Sequence, residues 1–314
     1  MTQPSAAPSA SAAGRPSHDL AVVVVTYNSA QVVGAMLDSL PAALAGLRAD
    51  VVVVDNGSRD DTVAVLELRG DCRVLRSTNR GYSAGINLGV AAVPDAPAYL
   101  ILNPDVRLRP GAVPPLLAGL DAAGVGVTAP QMRTADDRLD LSLRREPSLG
   151  RALGLTRTRL PALSEYVHDP AAYAVPHDVD WAVGAAVCFS RTCFDALDGW
   201  DESYFLYSEE TDFCLRARDQ GFTTRYVPAS VVVHLGGGSG RDEVTHAMQI
   251  LNRVRLYRRR NGTTKAWLYW ALAVLSELSK GVRGRRESWF AARALLRPAV
   301  RPLAVGCSTT LLPA

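Results

Sequence analysis

The sequence predicts a doubly wound α/β domain, and three observations carry that expectation. Two continuous β-branched runs, LAVVVVTYN (20–28) and ADVVVVDNGS (49–58), read as strands buried on both faces, the pattern of a parallel sheet. The stretch between them, from about Ala30 to Leu47, reads as a helix, so the three form a βαβ unit. Polar residues then stand at the carboxyl ends of three strands, where open α/β sheets hold their ligands.

The elements follow in order. The opening MTQPSAAPSASAAGRPSH has no apolar run, which predicts a disordered tail over residues 1–18 and argues against a secretory signal. After the first βαβ unit, a second helix is expected from Asp61 to Arg69, then a short strand CRVLRS, then a third helix following NRGYSAGIN. AYLILNPDV is a further buried strand ending in polar residues. The middle, about 130–180, predicts irregular connections with a short helix or two. WAVGAAVCFSR returns as a strand, followed by a helix over TCFDALDG, an acidic helix and a last strand, TTRYVPASVVVHLGGG. From Asp242 the chain reads as helical.

Composition bounds the class. Over 314 residues, 48% hydrophobic and 21% charged content is that of a folded chain with a substantial core. A formal charge of +3 is too small to point to nucleic acid, but its distribution is uneven. Residues 251–301 hold thirteen Arg or Lys against two acids, Glu277 and Glu287. Five cysteines without a C-x-x-C or a metal-ligand spacing read as reduced thiols of a cytosolic protein and argue against structural zinc.

In YFLYSEETDFCLRARDQG (204–221), Glu209, Glu210 and Asp212 crowd the first turn of an expected helix. Helix-start chemistry alone accounts for them: Ser208 stands as N-cap, acids favour the positive end of the dipole, and Gly221 is a stop. Phe213 and Ala217 are then expected to face the core, with Arg216 and Arg218 reaching solvent.

Neither a G-x-G-x-x-G nor a G-x-x-x-x-G-K-[ST] follows a strand, so a dinucleotide fold and a P-loop lack support. What stands at the strand ends is Thr26, Tyr27 and Asn28, then Asp55, Gly57 and Ser58, then Asn103 and Asp105. Asp55 before NGS reads equally as an Asn-Gly turn or as a carboxylate accepting from a nucleobase N–H. Asn79, Gly81 and Asn87 bring amides and a close backbone to the same neighbourhood, suited to base and ribose. Pro104 holds Asn103 extended. Asp105 is either a turn residue or an oxygen ligand for a divalent cation, Mg²⁺ or Mn²⁺, shared with a nucleotide diphosphate. His234, ending ASVVVH at the same edge, is either a structural hydrogen-bonding residue or a second ligand.

Taken in order, VVTYNSA, VVDNGSRD, NRGYSAGIN, LNPDV, WAVGAA, GWDESYFLYSEETDFCLR and VVVHLGGGS resemble glycosyltransferase family 2, and more closely its rhamnosyltransferase-like branch. The resemblance covers about Leu20 to Gly240. It implies the GT-A fold: a doubly wound mixed, mostly parallel sheet with helices on both faces, here followed by C-terminal helices. It implies that Thr26, Asn28, Asp55 and Asn79 line a nucleotide pocket. Asp105 is then the metal-binding acid of a DXD-type motif, with Asn103 where the fuller motif has its first Asp. The acidic pair Glu209-Glu210 supplies the catalytic base, Glu210 by position, with Glu209 and Asp212 supporting it or contacting acceptor. The reaction implied is one in-line displacement with inversion, from a nucleotide-sugar onto a hydroxyl of a cell-envelope glycan or polyprenyl-linked precursor. The branch favours dTDP-rhamnose. Transferases using UDP- or GDP-sugars share these motifs, and a catalytically silent nucleotide-sugar-binding module would share the pocket. No Q-x-x-R-W element follows the acidic helix, and QILNR (249–253) does not fit that spacing, which argues against a processive synthase.

Three regions result: the tail (1–18), a catalytic domain (19–240) and a basic helical region (241–314). LGGGSGR reads as a loop closing over the diphosphate, with Arg241 an anion contact, or as a flexible linker. The apolar run Ala266 to Leu275 is short of the roughly 20 residues that span a bilayer. With Trp, Tyr and Arg around it, the segment reads as an interfacial helix on an anionic membrane surface, or as a helix packed on the catalytic domain. The expected setting is the cytoplasmic face of the cell membrane. Nucleic acid is not an expected partner, and a homo-oligomer is left open.

Overall fold

The computed structural model describes residues 18–236 and 242–302. The expected tail, apart from His18, therefore lies outside the described residues, as do Arg241 and most of LGGGSGR.

The elements in chain order are β1 (Leu20–Thr26), α1 (Val33–Leu44), β2 (Ala49–Asp55), α2 (Thr62–Glu67), β3 (Arg73–Arg76), α3 (Tyr82–Ala91), β4 (Ala98–Leu102) and β5 (Val106–Leu108). Then come α4 (Val113–Leu120), β6 (Val125–Arg133), β7 (Leu143–Arg144), α5 (Leu149–Ala152), β8 (His177–Val179), β9 (Trp181–Ala182) and β10 (Ala186–Ser190). Last are α6 (Arg191–Ala196), α7 (Glu209–Asp219), β11 (Thr223–His234), α8 (Glu243–Val282) and α9 (Arg286–Leu296).

The main sheet runs β3-β2-β1-β4-β10-β6-β11-β5, with β8 on β11 as well. Strands β1 to β4, β6 and β11 share one direction, while β5, β8 and β10 oppose them. The sheet is thus mixed and mostly parallel, and its alternating side chains feed two cores. Leu20, Val22 and Val24 pack with Met36, Leu37, Leu66 and Leu116, so α1, α2 and α4 cover one face. Ala21, Val23 and Val25 pack with Ile86, Val90, Cys193 and Phe213, so α3, α6 and α7 cover the other. Every residue of β1 is buried, as the Val run required.

Several local expectations need correction. The third helix begins inside NRGYSAGIN, at Tyr82, because Gly81 with φ 99° makes the turn that starts it. WAVGAAVCFSR divides: β9 joins β7 in a small separate sheet, and β10 enters the main sheet antiparallel to β4 and β6. Ser208 precedes α7, but in a left-handed conformation with no side-chain cap. Phe213 and Ala217 do face the core, whereas Arg216 turns inward to Asp212 and to the carbonyls of Leu197 and Gly199. Arg218 bridges Glu146 and Asp180.

The C-terminal region is a packed helical unit. α8 is broken at Gly262, whose φ of 76° and ψ of 175° are not helical. Its first arm docks on the segment preceding α7: Asn252 Nδ2 donates to the carbonyls of Leu206 and Tyr207 at 2.8 and 3.2 Å, and Arg255 to that of Ser203 at 2.6 Å. The arms are joined by Glu277, which is 1% exposed and takes His246 Nε2 at 2.7 Å and Lys280 Nζ at 2.6 Å. In the second arm, Ala266, Tyr269, Ala273 and Val274 face inward, while Trp267, Leu268, Leu275 and Val282 are exposed. Those outward positions recur at the helical period and form one apolar stripe. Among the described residues no helix is long and apolar enough to cross a membrane. Cys188, Cys193 and Cys214 are buried free thiols, and Cys72 is half-buried.

Candidate active site

The carboxyl ends of β1, β2, β4, β6 and β11 fall at one edge of the sheet, where antiparallel β10 also begins. Parallel register sets Thr26 beside Asp55. The buried Asp55 carboxylate accepts from Thr26 Oγ1 at 3.2 Å and from Ser58 N at 3.0 Å, and Ser58 Oγ donates to it too. Ser58 Oγ in turn accepts from Asn28 N at 2.9 Å, and Asn28 Oδ1 accepts from Arg59 N at 2.8 Å. Asp55 thereby organises the two strand-end loops. Tyr27 is 48% exposed beside them, a ring available for stacking.

The third loop closes in through Asn56, which was not singled out in the sequence. Its Nδ2 donates to Asn79 Oδ1 at 3.1 Å and to Gly81 O at 3.0 Å. Gly57 lies against Asn79, and a Cβ there would stand 3.3 Å from Asn79 N. So Thr26, Tyr27, Asn28, Asp55, Gly57, Ser58, Asn79 and Gly81 converge. Asn87 does not join them. It sits within α3, with its amide spent on the N–H and carbonyl of Trp200 and on Glu202. Its helical position follows from the early start of α3.

Asn103 and Asp105 follow β4 directly, and antiparallel pairing of β5 with β11 sets His234 against Val106. That register brings His234 Nε2 to 3.4 Å from Asp105 Oδ2. Burial alone would raise the Asp105 carboxyl, but the hydrogen bond and charge of His234 outweigh it and hold it below its ordinary value. Burial likewise opposes charge on His234, and Asp105 outweighs it, raising the imidazole. Among the described residues no group of three or more His, Cys, Asp or Glu converges. Asp105 and His234 would suit a divalent cation that takes its remaining ligands from outside the protein. Neighbouring ligands of a six-coordinate Mg²⁺, with bonds of about 2.1 Å, stand roughly 3 Å apart, close to the separation seen.

Tyr82 links this corner to α7. Its hydroxyl donates to Asn103 Oδ1 at 2.7 Å. Burial, then the charges of Glu209, Glu210 and Asp105, push it well above the ordinary tyrosine range. Its position was overlooked in the sequence because it stood inside a motif read only for glycine and amides. Glu209 is 6% exposed and Glu210 is half-buried, and Oε2 of each is shielded without a hydrogen-bond partner. Burial raises both carboxyls. The charge of Glu210 raises Glu209 further, while Arg144 and Arg253 pull Glu210 the other way. Gly184 makes the room: a Cβ there would stand 3.0 Å from Glu210 Cβ. Glu210 also lines a pocket of about 30 Å³ with Trp181, Tyr207, Gln249 and Arg253, so α8 contributes to the site. Asp212, by contrast, is engaged by Arg216 Nε at 2.6 Å. Burial raises its carboxyl while Arg216 opposes.

The chain is similar to known proteins in both sequence and fold. The family model described as glycosyl transferase family 2 matches residues 21–176, and that of glycosyl transferase family group 2 matches residues 163–295. An N-acetylglucosaminyl-diphospho-decaprenol L-rhamnosyltransferase of Mycobacterium tuberculosis is 31% identical over 278 residues, 81% of this chain and 89% of its own. The solved structure of GalNAc-T7 with UDP, GalNAc and Mn²⁺ superposes with a TM-score of 0.59 at 14% identity, over 87% of this chain and 56% of that one. The mannosyltransferase PcManGT from Pyrobaculum calidifontis, with GDP-Man and Mn²⁺, gives 0.53 at 17% identity over 96% and 86%. Both likenesses are of fold. The sequence match runs through the strand-end motifs and on into the C-terminal helices, and on that ground the chain belongs to glycosyltransferase family 2, as a rhamnosyltransferase-like enzyme with the GT-A fold.

Proposed function

We propose that this enzyme transfers a single sugar, L-rhamnose from dTDP-rhamnose, to a hydroxyl of a polyprenyl-linked glycan precursor, with inversion at the anomeric carbon. The observation that carries the reading is the shielded Glu209-Glu210 pair at the head of α7, joined through Tyr82 to the Asn103–Asp105 corner. The choice of donor and acceptor is supported by the mycobacterial relative, whose name describes L-rhamnosyl transfer involving a lipid diphosphate sugar.

In this reading the nucleotide lies over Tyr27, Asn28, Asp55 and Asn79. Glu210 accepts the proton of the acceptor hydroxyl as that oxygen bonds to the anomeric carbon. The bond from that carbon to the diphosphate breaks on the opposite side, and the nucleoside diphosphate leaves with the electron pair. A carboxyl raised by burial is a stronger base than an ordinary glutamate, and a positioned base contributes about 10²- to 10⁴-fold. Glu209 stands beside it, its own carboxyl raised by burial and by the charge of Glu210. Asp105 and His234 would hold a divalent cation, Mg²⁺ or Mn²⁺, which supplies charge stabilisation to the leaving diphosphate when bound. The stripe of Trp267, Leu268, Leu275 and Val282, with Lys265 and Arg283 on the same arm and adjoining turn, suits contact with an anionic membrane at the cytoplasmic face.

The test is binding of dTDP, UDP and GDP by calorimetry, with and without Mn²⁺ or Mg²⁺, to the wild type and Asp105→Ala. A metal-dependent preference for dTDP that Asp105→Ala abolishes is the expected result. A preference for UDP or GDP overturns the rhamnose donor, and no binding of any nucleotide overturns the whole reading.

A further inference from the structure

The first arm of α8 carries Arg255, Arg258 and Arg259, which with Thr263 line a cleft of about 280 Å³. At spacings i, i+3 and i+4 the three share one side of the helix. The partners of Arg255 and Arg259 fix both in advance. Arg255 is 8% exposed, donates to the Ser203 carbonyl at 2.6 Å, and lies 4.8 Å from the centre of the Tyr204 ring. Arg259 lies 5.5 Å from the same ring and pairs with Asp201. A carbonyl and an aromatic face orient Arg255 without neutralising it. The planar donor fork of guanidinium matches the oxygens of a phosphate, and prior positioning reduces the entropy lost on binding.

We infer that this cleft is a binding site for a phosphate group. The inference goes beyond the transferase reading, since the cleft shares no lining residue with the pocket beside Glu210 and requires neither donor nor acceptor. A lipid headgroup and a soluble phosphate offer the same group. Position favours the headgroup: Thr263 begins the arm whose outward stripe starts at Trp267 and Leu268, so a phosphate in the cleft would sit one turn from the apolar contact surface. The cleft also rests on Asp201, Ser203 and Tyr204, in the segment leading to α7. Its occupant therefore steadies the approach to Glu209 and Glu210.

The test uses the full chain and Arg258→Gln in two arms, both in EDTA so that no cation ties an anion to the catalytic carboxylates. One arm titrates inorganic phosphate by calorimetry. The other measures flotation with vesicles of phosphatidylcholine alone or mixed with phosphatidylglycerol. Each basic side chain near an anionic surface contributes about fivefold in partitioning, so Arg258→Gln should weaken binding to the mixed vesicles by about that factor. Nucleotide binding at the strand-end edge, measured separately with Mn²⁺ present, should stay unchanged, and an unchanged melting temperature in EDTA shows that the variant is folded. Mixed-vesicle binding that depends on Arg258 identifies a headgroup. Phosphate binding that depends on Arg258, without vesicle binding, identifies a soluble phosphate. Equal behaviour of the two proteins in both arms, or no binding in either, overturns the site. Failure of the transferase reading would instead appear as loss of nucleotide binding in the wild type, and it leaves both arms readable.

Discussion

Replacing Glu277 by Gln tests what joins the two arms of α8. Burial would raise this carboxyl, but His246 and Lys280 outweigh it and bring it to about 2 from an ordinary 4.5. That gap corresponds to about 3 kcal/mol of folding stability at neutral pH. The folded value is the lower one, so the contribution is complete above pH 4.5 and drains away as pH falls through about 2. At about pH 3.5 some 2 kcal/mol should remain. Gln cannot titrate, so the wild type should exceed Glu277→Gln by about 3 kcal/mol near pH 7 and by about 2 near pH 3.5. Urea unfolding of both proteins at the two pH values measures this directly. A difference below about 1 kcal/mol near neutrality, or one that grows as pH falls, would refute the assignment of Glu277 as an ionised link.

Three further outcomes follow from the site. Glu210→Gln should lower kcat by about 10²- to 10⁴-fold with nucleotide affinity intact, whereas Glu209→Gln should change the pH profile more than the maximum rate; steady-state kinetics on both variants checks this. Because burial raises the pair and the base must be ionised, kcat should rise with pH along a limb lying above the ordinary glutamate value of 4.5, and a limb at or below it would argue against the pair. Gly81→Ala places a Cβ 2.6 Å from Phe205 O and 2.7 Å from its Cα, at a φ of 99°. It should cost about 1–3 kcal/mol and lower the melting temperature, read by thermal shift.

The sheet was legible because continuous Val runs separated by one helix length admit few alternatives to a parallel layer. The strand-end residues were legible for the same reason, since the chain direction alone puts Thr26, Asp55 and Asn103 at one edge. What escaped depended on contacts between distant segments. Asn87 was grouped with the pocket by its place in a motif, yet the early start of α3 spends its amide on Trp200. Tyr82 drew no notice, and Arg253 counted only as one of thirteen basic residues, because their importance lies in what they face. Arg216 was expected in solvent because a helical period marks a face but cannot say that the carbonyls of Leu197 and Gly199 lie across it.

The backbone before α7 bears on how separable the parts of this enzyme are. Tyr207 and Ser208 both adopt left-handed conformations, with φ of 69° and 73°, though neither is glycine. Each such residue costs of order 1 kcal/mol, and conformations of this kind persist only where the surroundings hold them. Here the holder is Asn252, on the carbonyls of Leu206 and Tyr207, from a helix that follows the whole sheet in the chain. A fragment ending at residue 240 would retain every side chain at the strand-end edge and still lose the clamp that aims the first turn of α7. Modularity therefore stops short of the point that the sequence suggests. The sheet carries its strand-end residues by itself, but the aim of Glu209 and Glu210 is set only once the last helices of the chain have folded against it.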